Sequence, residues 1–495
     1  MDRPQHRTPI PQADDEQPLS ERVTQDAVVV VPGIMGSTLE DAVTGRHLWG
    51  LGGASWYIKA WTHPKGLQEL HLTEDELEGR TGRIRATGLL TSTAWTPYLR
   101  GHEPYTALIE RVRKCVAHEA AILPFAYDWR LPVATNARVL ADAARRHLSA
   151  WRSHEAHDRA RRHRVDERPG RLVFVAHSMG GLVTRAALDD GYDSDLGTDT
   201  RGVITLGTPF SGAVEAAVIL NTGRGTPVPL PRRKLRSLCA TMPGLHDLLP
   251  RYRSVREKDD VRHLTPGDVA AIGGSAELAA LARDFHAGQH RVELPDHRSV
   301  VGINQPTSQS LTIRDGQVEA FPDGVRQNGD GTFVRDRYDR LRYFTVQGDG
   351  TVYKESAEIT AAATTLPVQH GSLAVEDTAL DAVEEILSRD AHLGPPQGQF
   401  GCGLTVPDIA EAGSAWTLSL SGVDSLAGLT CRIQDVEDPG TGQELRPGWM
   451  DGGIGVRVTV GTPGLHRVEA RTRDGFRITQ VVLVTDPALR PEEAP

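Results

Sequence analysis

Hydrophobic positions follow two different rhythms along this chain. Between Asp26 and about Ser388, short, mostly apolar runs alternate with stretches of helical period. The runs include Ala27 to Val31, Leu172 to Val175, Gly202 to Leu206, Arg298 to Ile303 and Arg342 to Val346. Runs of this length predict strands, and the unbroken valine run at 27–31 suits burial on both faces, as in a parallel sheet. Between them, Tyr105 to Ala117 places Leu108, Ile109 and Val112 on one helical face, and Asn136 to Trp151, Gly181 to Leu188 and Val375 to Ser388 repeat the pattern. Strands and helices in this alternation imply right-handed βαβ units. From Trp416 the rhythm changes to strict alternation, in Trp416 to Leu420, Leu429 to Ile433, Val456 to Val460, Arg467 to Arg471 and Phe476 to Val484. Period-two runs separated by Gly, Pro and Asp predict a small antiparallel β-sandwich.

Breaks in these rhythms divide the chain. Residues 1–24 are polar and Pro-rich without apolar spacing and predict a disordered lead-in. Residues 25–390 form the α/β unit, 391–400 with Gly394-Pro-Pro-Gln-Gly a linker, and 401–490 an Ig-like β-sandwich. Two stretches lack clean periodicity and are expected to be cap or lid insertions, at about 46–96 and 213–290. The first holds Trp49, Trp56, Trp61 and Trp95, which suit either a satellite core or an apolar substrate entrance.

Composition narrows the class. A net charge of -10 with 24% charged and 39% hydrophobic residues describes a globular protein and speaks against nucleic acid as a partner. No run of about 18 apolar residues is present, and the N-terminus lacks an apolar leader core, so a cytoplasmic protein is expected, with peripheral membrane contact left open. The four cysteines, Cys115, Cys239, Cys402 and Cys431, show no metal-ligand spacing, so neither a metal nor another cofactor is expected; a Cys402–Cys431 bridge stays open. The His- and Arg-rich residues 152–169 suit a solvated helix end.

Candidate chemistry centres on Ala176-His177-Ser178-Met179-Gly180, set between a buried strand and a helix. Small residues two before and two after the serine let a sharp strand-to-helix turn lift its hydroxyl, while the helix N-terminus faces any oxyanion formed beside it. A hydroxyl needs a base to take its proton, and the base needs a carboxylate to orient it. In doubly wound hydrolases those partners follow in the order Ser, Asp, His. Asp349 lies in Gly348-Asp-Gly350 after the Arg342 to Val346 run and fits the acid; His370 lies on the loop before the closing helix and fits the base. His177 is expected to pack into the fold. One oxyanion donor is the Met179 amide, and the other comes from the Gly33-Ile34-Met35 loop, whose apolar side chains make the entrance apolar, Met35 among them.

Five segments in order, Val30-Val-Pro-Gly-Ile-Met-Gly-Ser-Thr-Leu-Glu40, Pro124-Phe-Ala-Tyr-Asp-Trp-Arg130, Ala176 to Gly181, Leu206-Gly-Thr-Pro-Phe-Ser-Gly212 and Gly348-Asp-Gly-Thr-Val352, resemble the motifs of the lecithin:cholesterol acyltransferase family of α/β-hydrolases, which includes lysosomal phospholipase A2. The resemblance spans roughly 26–388 and implies a Ser178, Asp349, His370 triad, oxyanion donors at Ile34 and Met179, a structural role for Tyr127 to Arg130, and a lipid acyl-ester substrate taken to water or to an alcohol. The chain departs from the family in starting its elbow with Ala176 and in not clearly reproducing the cysteine-closed lid after Glu40. Two alternatives remain beside a lipase or acyltransferase: an amidase or peptidase on the same fold, and an inert scaffold that recruits a protein partner through the C-terminal β-domain.

Overall fold

A computed structural model of the chain describes residues 23–50, 67–90, 105–162, 168–189, 194–223, 232–328, 330–359, 363–388, 403–407, 409–421, 423, 425–436, 440, 442–450, 453–472 and 477–485. Most of the lead-in, the 391–400 linker, and Trp56, Trp61, Trp95 and Cys402 lie outside them.

Six parallel strands form the central sheet: β1 (Ala27–Val31), β2 (Ile122–Pro124), β3 (Leu172–His177), β4 (Thr200–Leu206), β5 (Arg298–Gly302) and β6 (Ala363–Leu366), in the spatial order β6-β5-β4-β3-β1-β2. Every residue of β1 and β3 is buried, which is why both read as unbroken apolar runs. Each buried valine contributes roughly 1.5–3 kcal/mol. Helices α1 (Thr106–Cys115), α2 (Val133–Arg152), α3 (Met179–Ala187) and α4 (Asp377–Ser388) cover the sheet, with α2 against α3 and α1 against α4. Strand order reverses between β1 and β3, so the loops leaving their C-terminal ends face one another across the crevice where doubly wound sheets bind ligands. This is the α/β-hydrolase architecture.

The Arg342 to Val346 run does not join this sheet. Its core, Tyr343–Thr345, pairs antiparallel with Asp323–Val325 in a separate two-stranded ribbon. The strand that places Asp349 is β5: after Gly302 the chain makes an excursion over residues 303–348 and returns, where Gln305 bridges Gly348 and Asp349. The first insertion is partly sheet, since Ser37–Asp41, His47–Trp49 and Ile84–Leu89 form three antiparallel strands. The second is mainly helical, with Val214–Thr222, Arg232–Ala240, Pro266–Ala271 and Ala276–Gln289. Thr24, expected in the lead-in, is buried and donates its amide to the Cys115 carbonyl at 2.7 Å.

The C-terminal residues form two sheets, of four and five strands, whose inward side chains, Leu418, Ile454 and Val458 from one and Ile433, Val468 and Val482 from the other, make a second core. All its strand pairs are antiparallel except Ile409–Glu411 with Arg477–Thr485. Thr479 and Gln480 of this unit hydrogen-bond Glu376 and Gln305, so the β-unit touches both the closing helix segment and the turn beside Asp349.

Candidate active site

Ser178 caps the end of β3 with φ 53° and ψ −126°, left-handed backbone that a serine adopts only when its surroundings over-determine it. Those surroundings are close. A Cβ on Gly180 would lie 2.5 Å from the Pro32 carbonyl oxygen, so only hydrogen fits where α3 passes the end of β1. A Cβ on Gly33 would meet the Ser178 Cβ at 2.9 Å, which sets how near the oxyanion loop comes to the elbow. The Ser178 amide donates to the Leu206 carbonyl at 2.9 Å, tying the elbow to β4.

The structure brings Ser178, His370 and Asp349 together. Ser178 Oγ lies 2.8 Å from His370 Nε2, and His370 Nδ1 lies 2.7 Å from Asp349 Oδ2. Asp349 is fully buried, and its other oxygen accepts the amides of Thr351 at 3.0 Å and Val352 at 2.7 Å. The carboxylate is therefore held from both sides and cannot swing away from the imidazole. Thr307 Oγ1 accepts the Gly350 amide at 2.9 Å and steadies the turn. The His370 amide donates to the Asp349 carbonyl at 2.9 Å, so base and acid are joined through backbone as well.

Met179 opens α3, where first-turn amides have no intrahelical acceptor. Across the crevice, Ile34 is half-buried and Met35 is buried in the core with φ 62°, its carbonyl accepting the Trp49 indole at 2.9 Å. Of the two side chains expected at an apolar entrance, Ile34 is the one that is partly exposed.

Two residues that sequence reading left outside the site complete it. Tyr105 Oη accepts the Gly33 amide at 2.8 Å and lies 2.8 Å from His177 Nδ1; His177 Nε2 lies 2.9 Å from the His370 carbonyl. Because the phenol already accepts from Gly33, its own hydrogen goes to Nδ1, and Nε2–H then donates to the carbonyl. A hydrogen-bond chain thus links the oxyanion loop to the loop carrying the base. Burial pushes the Tyr105 phenol well above its usual pKa, which keeps the hydroxyl hydrogen in place.

Tyr127 to Arg130 brace the same loop. Tyr127 donates to the Pro32 carbonyl at 2.8 Å and Trp129 to the Ser37 carbonyl at 3.2 Å, while the Trp129 ring meets Trp49 edge-on at 5.1 Å. Arg130 is fully buried, forked onto Asp128 at 2.9 and 2.6 Å and paired with Glu76 at 2.9 Å. Among the described residues no group of three or more His, Cys, Asp or Glu is placed to hold a metal ion, and no helix is long and apolar enough to cross a membrane. Cys115, Cys239 and Cys431 are buried.

Comparison with known proteins agrees with this picture in part of the chain. The family model of lecithin:cholesterol acyltransferase matches residues 71–269, a range that holds Tyr127 to Arg130, the elbow and the Leu206 to Gly212 loop but neither Asp349 nor His370. Protein SERAC1 of Danio rerio is 27% identical over 157 residues, covering 28% of this chain and 23% of its own length, so the chain spans under a quarter of that curated relative. Among solved structures, the Tle4-Tli4 complex contains a chain with TM-score 0.44 and 14% identity, covering 74% of this chain and 99% of that one. The mature lipase BlEst2 of Bacillus licheniformis follows with TM-score 0.30 and 12% identity, covering 77% and 96%. Over its residues 71–269, on a sheet whose strand order is that of an α/β-hydrolase, the chain is similar to the lecithin:cholesterol acyltransferase family.

Proposed function

We propose that this chain is a serine hydrolase of lipid acyl esters, working through an acyl-enzyme on Ser178. The observation that carries the reading is the unbroken relay from Ser178 Oγ through both nitrogens of His370 to Asp349, with steps of 2.8 and 2.7 Å, set at the strand-order reversal. Ser178 Oγ attacks the ester carbonyl carbon as His370 Nε2 takes the hydroxyl proton. The resulting imidazolium is held by Asp349, and the amides of Ile34 and Met179 receive the oxyanion. The Gly33 amide is already given to Tyr105, so it is not one of the donors. His370 then returns the proton to the leaving alkoxide, and water or an acceptor alcohol releases the acyl group. The family match supports hydrolase or acyltransferase chemistry on a lipid ester, and the half-buried Ile34 beside the elbow suits an apolar acyl chain.

The division into a catalytic unit at 25–390 and a β-sandwich at 401–490 is part of the same reading, supported by two hydrophobic cores that share no residue. The decisive experiment is hydrolysis of a short p-nitrophenyl ester by Ser178→Ala beside wild type, with labelling of Ser178 by a fluorophosphonate. A loss of at least about 10⁴-fold in kcat with an unchanged circular dichroism spectrum is expected. Retained hydrolysis, or a wild-type chain that does not label, sinks the assignment. Lipidomics on both chains with and without an added alcohol separates hydrolysis from acyl transfer.

A further inference from the structure

The second insertion borders a partly open cavity of about 470 Å3 against the distal half of the elbow helix, within the roughly 300–1,000 Å3 range of small-molecule sites. None of Ser178, Asp349, His370, Ile34 and Met179 lines it. Its walls are of two kinds. Leu182, Phe210, Leu249, Leu264 and Val269 supply apolar lining, and Arg185 and Arg251 supply two guanidiniums.

The two guanidiniums are short of negative charge. Arg185 gives its Nε hydrogen to the Val292 carbonyl at 3.2 Å and stacks over Phe210 at 5.6 Å, and among the described residues neither of its terminal nitrogens has an acceptor. Among the described residues Arg251 donates only to carbonyls, those of Asp247 and Phe210. The carboxylate that acts on Arg251 is Asp247, and it is already committed: one oxygen accepts the Val133 amide at 2.7 Å and the other faces His286 Nε2 at 3.4 Å. Asp189, at the end of the same helix, accepts from Gln289 at 3.3 Å. Arg283, also on the wall, is spent on its neighbour Asp284 at 3.2 Å.

Further groups point the same way. Tyr252 and Gln289 are among the residues lining the cavity, and Tyr252 Oη and Gln289 Oε1 are buried with no hydrogen-bond partner among the described residues. Buried polar groups and charges are ordinarily satisfied, because leaving them bare costs desolvation with nothing in return. Burial accordingly lowers the pKa of Arg185, and it lowers that of Arg251 to about 10 with Arg185 adding repulsion against the partial relief from Asp247.

We propose that this cavity is a binding site for an anionic amphiphile, whose oxyanion head sits between Arg185 and Arg251 within reach of the Tyr252 hydroxyl and whose alkyl chain lies along Leu182, Phe210 and Leu249. A carboxylate and a phosphate monoester offer the same planar or tripod oxygens to a guanidinium fork. The inference stands apart from the ester chemistry, since no residue of the relay takes part.

The test is calorimetric titration of the full chain carrying Ser178→Ala, which removes turnover whether or not the esterase reading holds. Four probes are used: decanoate, decyl phosphate, decanol and inorganic phosphate. One-to-one binding of decanoate or decyl phosphate, at least tenfold tighter than decanol or inorganic phosphate, is expected; whichever of the two binds tighter names the head group. Adding Arg185→Met should weaken that binding at least tenfold, and Tyr252→Phe about threefold, each with an unchanged melting curve. Tyr252→Phe removes one oxygen and nothing else, so it keeps the proposal testable should the arginine variant fold poorly. Equal affinity for decanol and decanoate, tight binding of inorganic phosphate alone, no binding, or variants indistinguishable from the parent overturns the proposal.

Discussion

Replacing Tyr105 by Phe isolates the hydrogen-bond chain between the oxyanion loop and the base. The ring stays, so no cavity of consequence opens, and what is lost is one oxygen that holds two contacts of 2.8 Å each. Both partners sit in buried surroundings: Gly33 is buried against the elbow, and His177 is 2% exposed. An unsatisfied buried donor or acceptor costs about 1–3 kcal/mol, so with two of them stability of the α/β unit should fall by about 2–6 kcal/mol. The kinetic effect has a separate origin. Gly33 immediately precedes the proposed donor Ile34, and His177 holds the carbonyl of His370 at 2.9 Å, so both halves of the site lose a restraint. A tenfold fall in kcat/KM, about 1.4 kcal/mol of transition-state stabilisation, is expected, carried mainly by kcat. Urea unfolding followed by tryptophan fluorescence measures the first quantity, and initial rates on a p-nitrophenyl ester the second. Because burial holds the phenol protonated far above neutrality, the rate ratio should be flat from about pH 6 to pH 9. Combining Tyr105→Phe with His177→Asn should cost less than the sum of the singles, since both cut one chain. A Tyr105→Phe enzyme with wild-type stability and rate would refute the reasoning.

Arg130→Met leaves Asp128 without its fork and Glu76 with Arg83, at 2.7 Å, as its remaining ion-pair partner, so a loss of about 3–5 kcal/mol is expected by thermal unfolding; a wild-type Tm contradicts it. His297, packed edge-on against Phe210 and 2.9 Å from Thr205 Oγ1, has its pKa lowered to about 4, first by burial and then by Arg185. The unfolded chain, with an ordinary histidine pKa of about 6.5, binds a proton between those values that the folded chain does not. Stability is therefore full above about pH 6.5 and falls as pH drops towards 4, by about 3 kcal/mol for this residue. Depressed values at His147, His157, His246 and His286 add in the same direction. In a pH series of denaturation midpoints His297→Asn should flatten the acid limb, and an unchanged slope rejects its part. Gly181→Ala gains about 1 kcal/mol of helix propensity, yet its Cβ would stand 2.0 Å from Thr208 Oγ1, so net destabilisation is expected, relieved in part by adding Thr208→Ala. Equal midpoints for the single and the double variant would contradict that account.

Local order along the chain was enough for the framework. The valine run of β1 and the Leu172 to Val175 run could only be buried strands, the small residues around Ser178 could only serve a tight turn, and the alternation after Trp416 named a second, β-rich unit. These are features of neighbours in sequence, where period and residue size suffice. The Ser, Asp, His order was legible for the same reason, although the strand credited with Asp349 was the wrong one. A run such as Arg342 to Val346 has the composition of a sheet strand, but which partner it pairs with depends on where the excursion from β5 returns, and no local pattern records that. The Tyr105–His177 chain joins residues 72 apart, and the cavity beside the elbow helix draws its arginines from two distant segments. Such contacts exist only once the sheet has closed, because burial makes an unmet donor costly and so selects which distant group must meet it. The sequence determined which residues could do chemistry; the tertiary structure decided which of them touch.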